Sequence, residues 1–208
     1  MFEEAAPKNS LKVIDKISSK IADFYLAGGT GLALQLGHRR SRDFDFFSPR
    51  LFNAHILVKR LCPDRIIQVS EGTAHTVINR IKFSFLYFEA PLIHRAVIWR
   101  GIRIADWRDI VAEKFRAISD RGTKKDFYDL YAVLQHRLSI RDACGVFKTR
   151  FGKSGVNTYH VLKSLTYFDD AEEEPSPILL KSTTGWRWER IKKFFTLNIR
   201  EFEKYLLG

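Results

Sequence analysis

The chain has 208 residues with 35 basic and 24 acidic side chains, a formal net charge of +11. Hydrophobic residues make up 45% of it and 17 are phenylalanine, enough for a sizeable core, which excludes a disordered chain. The basic excess points to a polyanionic partner, RNA or DNA, or to repeated phosphate contacts. The sequence has no apolar run of about 18 residues, so no transmembrane helix is expected. Cys62 and Cys144 have no paired or zinc-like spacing, and the acidic, polar MFEEAAPKNS does not read as a secretory signal. Together these make the cytoplasm the expected setting, with no membrane partner.

In chain order, Leu11, Ile14, Ile17 and Ile21 recur at helical spacing and predict a helix over 9–21. A strand is expected over 23–27, and a short helix from Thr30 to Leu36 that Gly37 ends as a C-cap. A second strand over 42–47 stops at Ser48-Pro49. A helix over 53–61 and strands over 65–70, 73–79 and 80–89 follow, with turns at Glu71-Gly72 and Asn79-Arg80. Residues 95–105 read as one further strand or strand-like link. From Asp106 the period becomes helical, over 107–120, 124–136, 139–150, 155–166 and 186–206. Asp169 to Pro177 is acidic, carries two prolines and reads as a loop. The organisation predicted is α+β: an α/β half over 1–105 and a helical half over 106–208.

The chemistry gathers in FYLAGGTGLALQLGHRRSRDFDFF. Successive strand side chains point to opposite faces, so Asp43 and Asp45 share one face and Phe44 and Phe46 share the other. Two carboxylates so placed can hold one or two Mg²⁺ (or Mn²⁺) ions against a triphosphate. Gly28 and Gly29 let backbone N–H groups approach phosphates at a helix N-terminus. Thr30 is placed either to cap that helix or to meet a phosphate. His38, Arg39, Arg40 and Arg42 form a basic knot before the acids, and Arg42 is a candidate phosphate contact. In EKFRAISDRGTKKDFYDLY, Lys114 and Arg121 lie seven residues apart and face one side of their helix. Asp126 and Asp129 share one face of the next.

The GGT turn, HRRSRDFDFF, EKFRAISDRGTKKDFYDLYAVL and LTYFDDAEEEPSP together resemble the AbiEii/AbiGii-type nucleotidyltransferase toxins, within the nucleotidyltransferase superfamily. The resemblance implies a nucleotidyltransferase-like mixed sheet with flanking helices followed by a helical bundle. It implies a Mg²⁺-dependent transfer of NMP from an NTP to an acceptor hydroxyl. RNA, and tRNA 3′ ends in particular, is the attractive acceptor, and a cognate antitoxin the implied protein partner. It assigns Asp43 and Asp45 to the metal, Gly28, Gly29, Thr30, Arg42, Lys114 and Arg121 to the nucleotide, and Asp43, Asp45, Lys114 and Asp126 to the catalytic set. Asp126 is expected either to orient Lys114 or Arg121 or to act as base. Many enzymes of the wider superfamily carry a third carboxylate on a later central strand. Here IKFSFLYFE offers Lys82 and Ser84 in its interior. A catalytically degenerate binding module is the alternative, as is a nucleotidyltransferase acting on a protein or small molecule.

Overall fold

The segment DFDFFS can bury its alternate phenylalanines only as a strand with one face turned to a core, and it folds that way. In the computed structural model, which describes residues 1–180 and 183–208, it forms β2 (Asp43–Ser48). Phe44, Phe46 and Ser48 are buried, while Asp43, Asp45 and Phe47 are partly exposed. The chain divides into two units, Met1–Asp106 and Trp107–Gly208.

The first unit is built on a mixed seven-stranded sheet in the order β3-β4-β5-β2-β1-β7-β6. Its strands are β1 (Tyr25–Leu26), β2, β3 (Arg65–Ser70), β4 (Thr73–Ile78), β5 (Ile81–Tyr87), β6 (Val97–Trp99) and β7 (Ile102–Ile104). β2 runs parallel to β5 and antiparallel to β1, and β1 runs parallel to β7. The pairing of β2 with β5 is set by four rings. Phe44 stacks on Phe83 with centroids 5.2 Å apart, and Phe46 on Phe85 at 5.4 Å. All four side chains are fully buried. Helices α1 (Ser10–Ile17) and α3 (Ala54–Leu61) cover this face with Val13, Ile14, Ile17, Leu57, Val58 and Leu61. Helix α2 (Gly28–Leu36) connects β1 to the approach of β2 and ends at Gly37, which is left-handed at φ 65°. A Cβ there would come within 2.5 Å of the Phe2 ring, so glycine is needed both for the backbone and for the contact.

Some boundaries differ from the sequence expectation, each for a local reason. The helix over 9–21 stops at Ile17 and tightens into a 3₁₀ turn, Ser18–Lys20. Residues 95–105 hold two short strands, because Arg100 and Gly101 both take positive φ and turn β6 back antiparallel to β7.

The second unit contains α4 (Trp107–Asp120), α5 (Lys124–His136), α6 (Ile140–Phe151), α7 (Thr158–Ser164), α8 (Asp169–Glu172), α9 (Trp188–Leu197) and α10 (Ile199–Leu207). The helix over 186–206 breaks at Asn198, whose side-chain amide donates to the Phe194 carbonyl at 2.8 Å. The acidic stretch expected as a loop includes helix α8 and anchors the start of α5. The Glu174 carboxylate accepts from the Lys124 backbone N–H at 2.7 Å, and the buried Lys124 ammonium donates to the Glu172 and Glu174 carbonyls. The Glu172 side chain accepts from the Trp188 indole at 2.9 Å. Phe115, Phe127, Phe147, Phe151, Phe195 and Phe202 fill the interior. No helix among the described residues is long and apolar enough to cross a membrane.

Removing one ring of the β2–β5 stack leaves a cavity that the surrounding sheet cannot close. Phe83→Ala is expected to lower the unfolding free energy by about 3–5 kcal/mol, read by urea denaturation. A loss below about 1 kcal/mol would show that the stack does not hold the sheet together.

Candidate active site

The strand pairing fixes what stands on the sheet face opposite the phenylalanine stack. Asp43 is paired with Lys82 and Asp45 with Ser84 across β2 and β5; Ser84 is in turn paired with His75 across β5 and β4. Phe44, Phe46, Phe83 and Phe85 alternate with these residues and occupy the core side. The carboxylates therefore share the face the sequence assigns to them, and the lysine and serine of β5 share it too. The Ser84 hydroxyl lies 3.1 Å from His75 Nδ1. The partly buried His75 imidazole is held below its usual pKa, first by burial and then by the Lys82 charge, with Asp45 opposing.

The start of α2 is tied to this strand at two levels. The Ala27 N–H donates to the Asp45 carbonyl at 3.0 Å. The buried Thr30 hydroxyl donates to the Asp43 carbonyl and lies 2.6 Å from the Ser41 hydroxyl. Gly28 has φ 59°, and a Cβ on it would sit 3.1 Å from Asp45 Oδ2. A larger residue is thus disfavoured twice, by the strained backbone conformation and by a tight contact with the carboxylate. The first intrahelical bond runs from the Gly31 N–H to the Ala27 carbonyl at 3.0 Å. The N–H groups of Gly28, Gly29 and Thr30 precede it and are the ones a helix start offers to an anion. Thr30's side chain is committed to fastening α2 to β2. Of the basic knot, His38 and Arg39 are buried while Arg40 and Arg42 are exposed. Arg42, immediately before Asp43, thus remains accessible.

The donor set fits a hard divalent cation. Two partly exposed carboxylates on one face leave room for water and phosphate oxygens, the ligation that Mg²⁺ prefers. Among the described residues no cluster of three or more His, Cys, Asp or Glu side chains is arranged to hold a metal. Such an ion would be held by Asp43 and Asp45 and by its substrate.

In the second unit the helical candidates come together in one buried network. The Lys114 ammonium lies 2.8 Å from Asp126 Oδ1 and 2.6 Å from Asp129 Oδ2; its side chain is 3% exposed and both acids are fully buried. Arg121 donates to Asp126 through Nε at 2.9 Å and Nη2 at 3.1 Å, and the Thr123 hydroxyl donates to the same carboxylate. Burial alone would raise the Asp126 pKa, but Lys114 and Arg121 outweigh it and hold the carboxyl well below the ordinary aspartate value. Both Asp126 carboxylate oxygens are engaged, Oδ1 by Lys114 and Arg121 and Oδ2 by Arg121 and Thr123. Arg121, whose side chain is 54% exposed, also lines a cavity of about 530 Å³ with His160, Lys163, Tyr167 and Asp170.

Removing Lys114 takes an ammonium away from two buried carboxylates and leaves Arg121 as the cation on Asp126. Lys114→Ala is expected to destabilise the protein by about 3–5 kcal/mol at pH 7. In the wild type the lowered Asp126 pKa contributes stability that is present above 3.8, the ordinary aspartate value, and is lost as pH falls below it. The variant has lost one of the two charges that oppose burial, which shifts Asp126 toward the protonated acid, so the deficit is expected to shrink as pH is lowered toward 4. Urea titrations at both pH values check this, and a deficit independent of pH would contradict it.

The comparisons with known proteins give the family and the fold. The family model of the AbiEii nucleotidyl transferase toxin, of type IV toxin–antitoxin systems, matches residues 67–206. It begins within β3, so the GGT turn and the Asp43–Asp45 pair precede the matched stretch. A protein of Aquifex aeolicus (strain VF5) is 34% identical over 188 residues, covering 86% of this chain and 88% of its own. Among solved structures, the nucleotidyltransferase toxin MenT4 of Mycobacterium tuberculosis H37Rv superposes with a TM-score of 0.59 at 18% identity, covering 95% of this chain and 90% of that one. A putative nucleotidyltransferase of H. pylori superposes at 0.55 with 19% identity, covering 98% of both chains. These two likenesses establish a shared fold, and the family match establishes the kinship: the chain belongs to the AbiEii nucleotidyltransferase toxin family.

Proposed function

We propose that this nucleotidyltransferase uses Mg²⁺ or Mn²⁺ to transfer NMP from an NTP to a hydroxyl of RNA, with tRNA 3′ ends as the acceptor. The observation that carries the reading is the placement of Asp43 and Asp45 on one sheet face, with the α2 N-terminus fastened beside them. A cytoplasmic setting and a cognate antitoxin belong to the same proposal, the latter supported by the family's place in toxin–antitoxin systems.

The residues divide the work. Asp43 and Asp45 hold the divalent cation, whose positive charge favours the charge building on the phosphate oxygens. The N–H groups of Gly28, Gly29 and Thr30 receive phosphate oxygens at the positive end of the helix. Arg42 and Arg121 are phosphate contacts, and Lys114 with Asp126 sets the direction of Arg121. The acceptor oxygen attacks the α-phosphorus, forming a new P–O bond, while the bond to the α–β bridging oxygen breaks. Pyrophosphate leaves with that electron pair, and the acceptor proton passes to a carboxylate oxygen of the Asp43–Asp45 pair. Positioning and charge neutralisation carry the rate in such transfers. The net charge of +11 supports an RNA acceptor.

A second reading, a degenerate module that binds nucleotide or RNA without turnover, is favoured by one observation: β5 presents Lys82 and Ser84 where a third acid stands in many superfamily members. Incubating the protein with Mg²⁺, each α-³²P-labelled NTP in turn and total cellular RNA separates the two. Label is expected on a tRNA-sized band with wild type, and none with Asp43→Ala or Asp45→Ala. No label from any NTP on any acceptor, RNA, protein or small molecule, despite tight RNA binding, would overturn the transferase reading in favour of the module. Label on a protein or small molecule instead would overturn the choice of RNA.

A further inference from the structure

Lys82 is placed on the carboxylate face by the core. A one-residue slip of β5 against β2 would bury the ammonium and expose Phe83 and Phe85, which stack within 5.4 Å of their partners; such a slip is excluded by the burial it would undo. Lys82 is therefore the direct cross-strand neighbour of Asp43, about 4.8 Å away at the backbone. Its side chain is exposed and long enough to extend over both acids. Its field also reaches His75, as does that of Asp45, which places lysine, histidine and aspartate around one patch.

Phosphoryl transfer needs positive charge on both the attacking and the leaving side of the reacting phosphorus. Two-metal sites supply it with a second ion about 3.5–4 Å from the first, which calls for more carboxylate than one pair. On this face the neighbours of Asp43 and Asp45 are an ammonium and a hydroxyl, and Ser84 is already bonded to His75. A second divalent cation beside Lys82 would meet like charge. A triphosphate beside Lys82 meets a compact point charge with three donors, the form in which lysine binds phosphate.

We propose that Lys82 is a nucleotide-binding residue whose ammonium lies against the triphosphate on the Asp43–Asp45 face, as the second positive charge beside a single divalent cation. The proposal rests on the nucleotidyltransferase reading above and deepens it by fixing how many ions the site takes.

The test is a Mn²⁺ titration followed by electron paramagnetic resonance, with protein in excess over a non-hydrolysable α,β-methylene NTP. One tightly held Mn²⁺ per bound nucleotide is expected, and two would overturn the proposal. Lys82→Ala is expected to weaken analogue binding roughly 10- to 100-fold with an unchanged urea midpoint, while Lys82→Arg keeps most of the affinity. Lys82→Glu, which adds a third acid to the face, is expected to take up a second Mn²⁺. Wild-type affinity in Lys82→Ala would overturn the proposal while leaving the transferase reading intact. That reading fails separately, if wild type transfers no nucleotide and Asp43→Ala binds Mn²⁺-nucleotide as wild type does.

Discussion

The register between β2 and β5 is the constraint on which the first unit depends. Phe44 and Phe46 on one strand, Phe83 and Phe85 on the other, form a buried stack that allows only one alignment. Side chains alternate, so the same alignment decides the opposite face: Asp43 beside Lys82, Asp45 beside Ser84. The apolar half of the pattern is buried in the core, and the polar half is the part the proposed chemistry uses. Neither can shift without the other, because the period of a strand is two. The helix start is then brought to the acids by bonds to the strand's own carbonyls, from Ala27 to Asp45 and from Thr30 to Asp43. Gly28 permits the approach by having no side chain to collide with Asp45.

The second unit is organised by charge. A lysine and two aspartates buried together are costly to desolvate, and the cost is offset by geometry: one ammonium between two carboxylates, with Arg121 and Thr123 completing the bonds to Asp126. A second buried cation, Arg150, is bound by the Asp109 carbonyl and the Glu113 carboxylate, both at 2.7 Å. The two networks tie α4 to α5 and α4 to α6, so the orientation of the helices is set by directional bonds as well as by packing of phenylalanine.

Much of this was legible in the sequence because it follows from periodicity. Alternation in DFDFFS separated acids from rings, and the helical spacing of Asp126 and Asp129 predicted their shared face. His75 was missed, though the signal was present: with the turn placed at Asn79-Arg80, counting back along the hairpin pairs residue 75 with residue 84. The acidic run near Glu172 reads as a solvated loop by composition. Its role in receiving Lys124 and Trp188 depends on contacts some fifty and sixteen residues away, which no local pattern records. The β6–β7 turn was hidden for a similar reason: Arg100 takes a left-handed conformation that its residue type does not advertise. Burial of His38 and Arg39 runs against their charge, and composition gives no warning of it.

The chain thus contains two kinds of aspartate, and their surroundings separate what they can do. Asp126 and Asp129 are fully buried and shared around a common ammonium; an acid held that way fixes helices and has nothing left to exchange. Asp43 and Asp45 sit partly exposed on a sheet face, with a glycine held against one of them and a helix N-terminus alongside. A carboxylate that must accept an ion and a nucleotide, and release a product, has to keep ligand positions open to solvent. The rigidity it needs comes instead from its backbone, and here the backbone carbonyls of both acids are bonded to the turn that faces them. Fixing the main chain while leaving the side chains available is what a binding surface for a charged, exchangeable substrate requires. The pairing of β2 with β5 and the fastening of α2 supply it together.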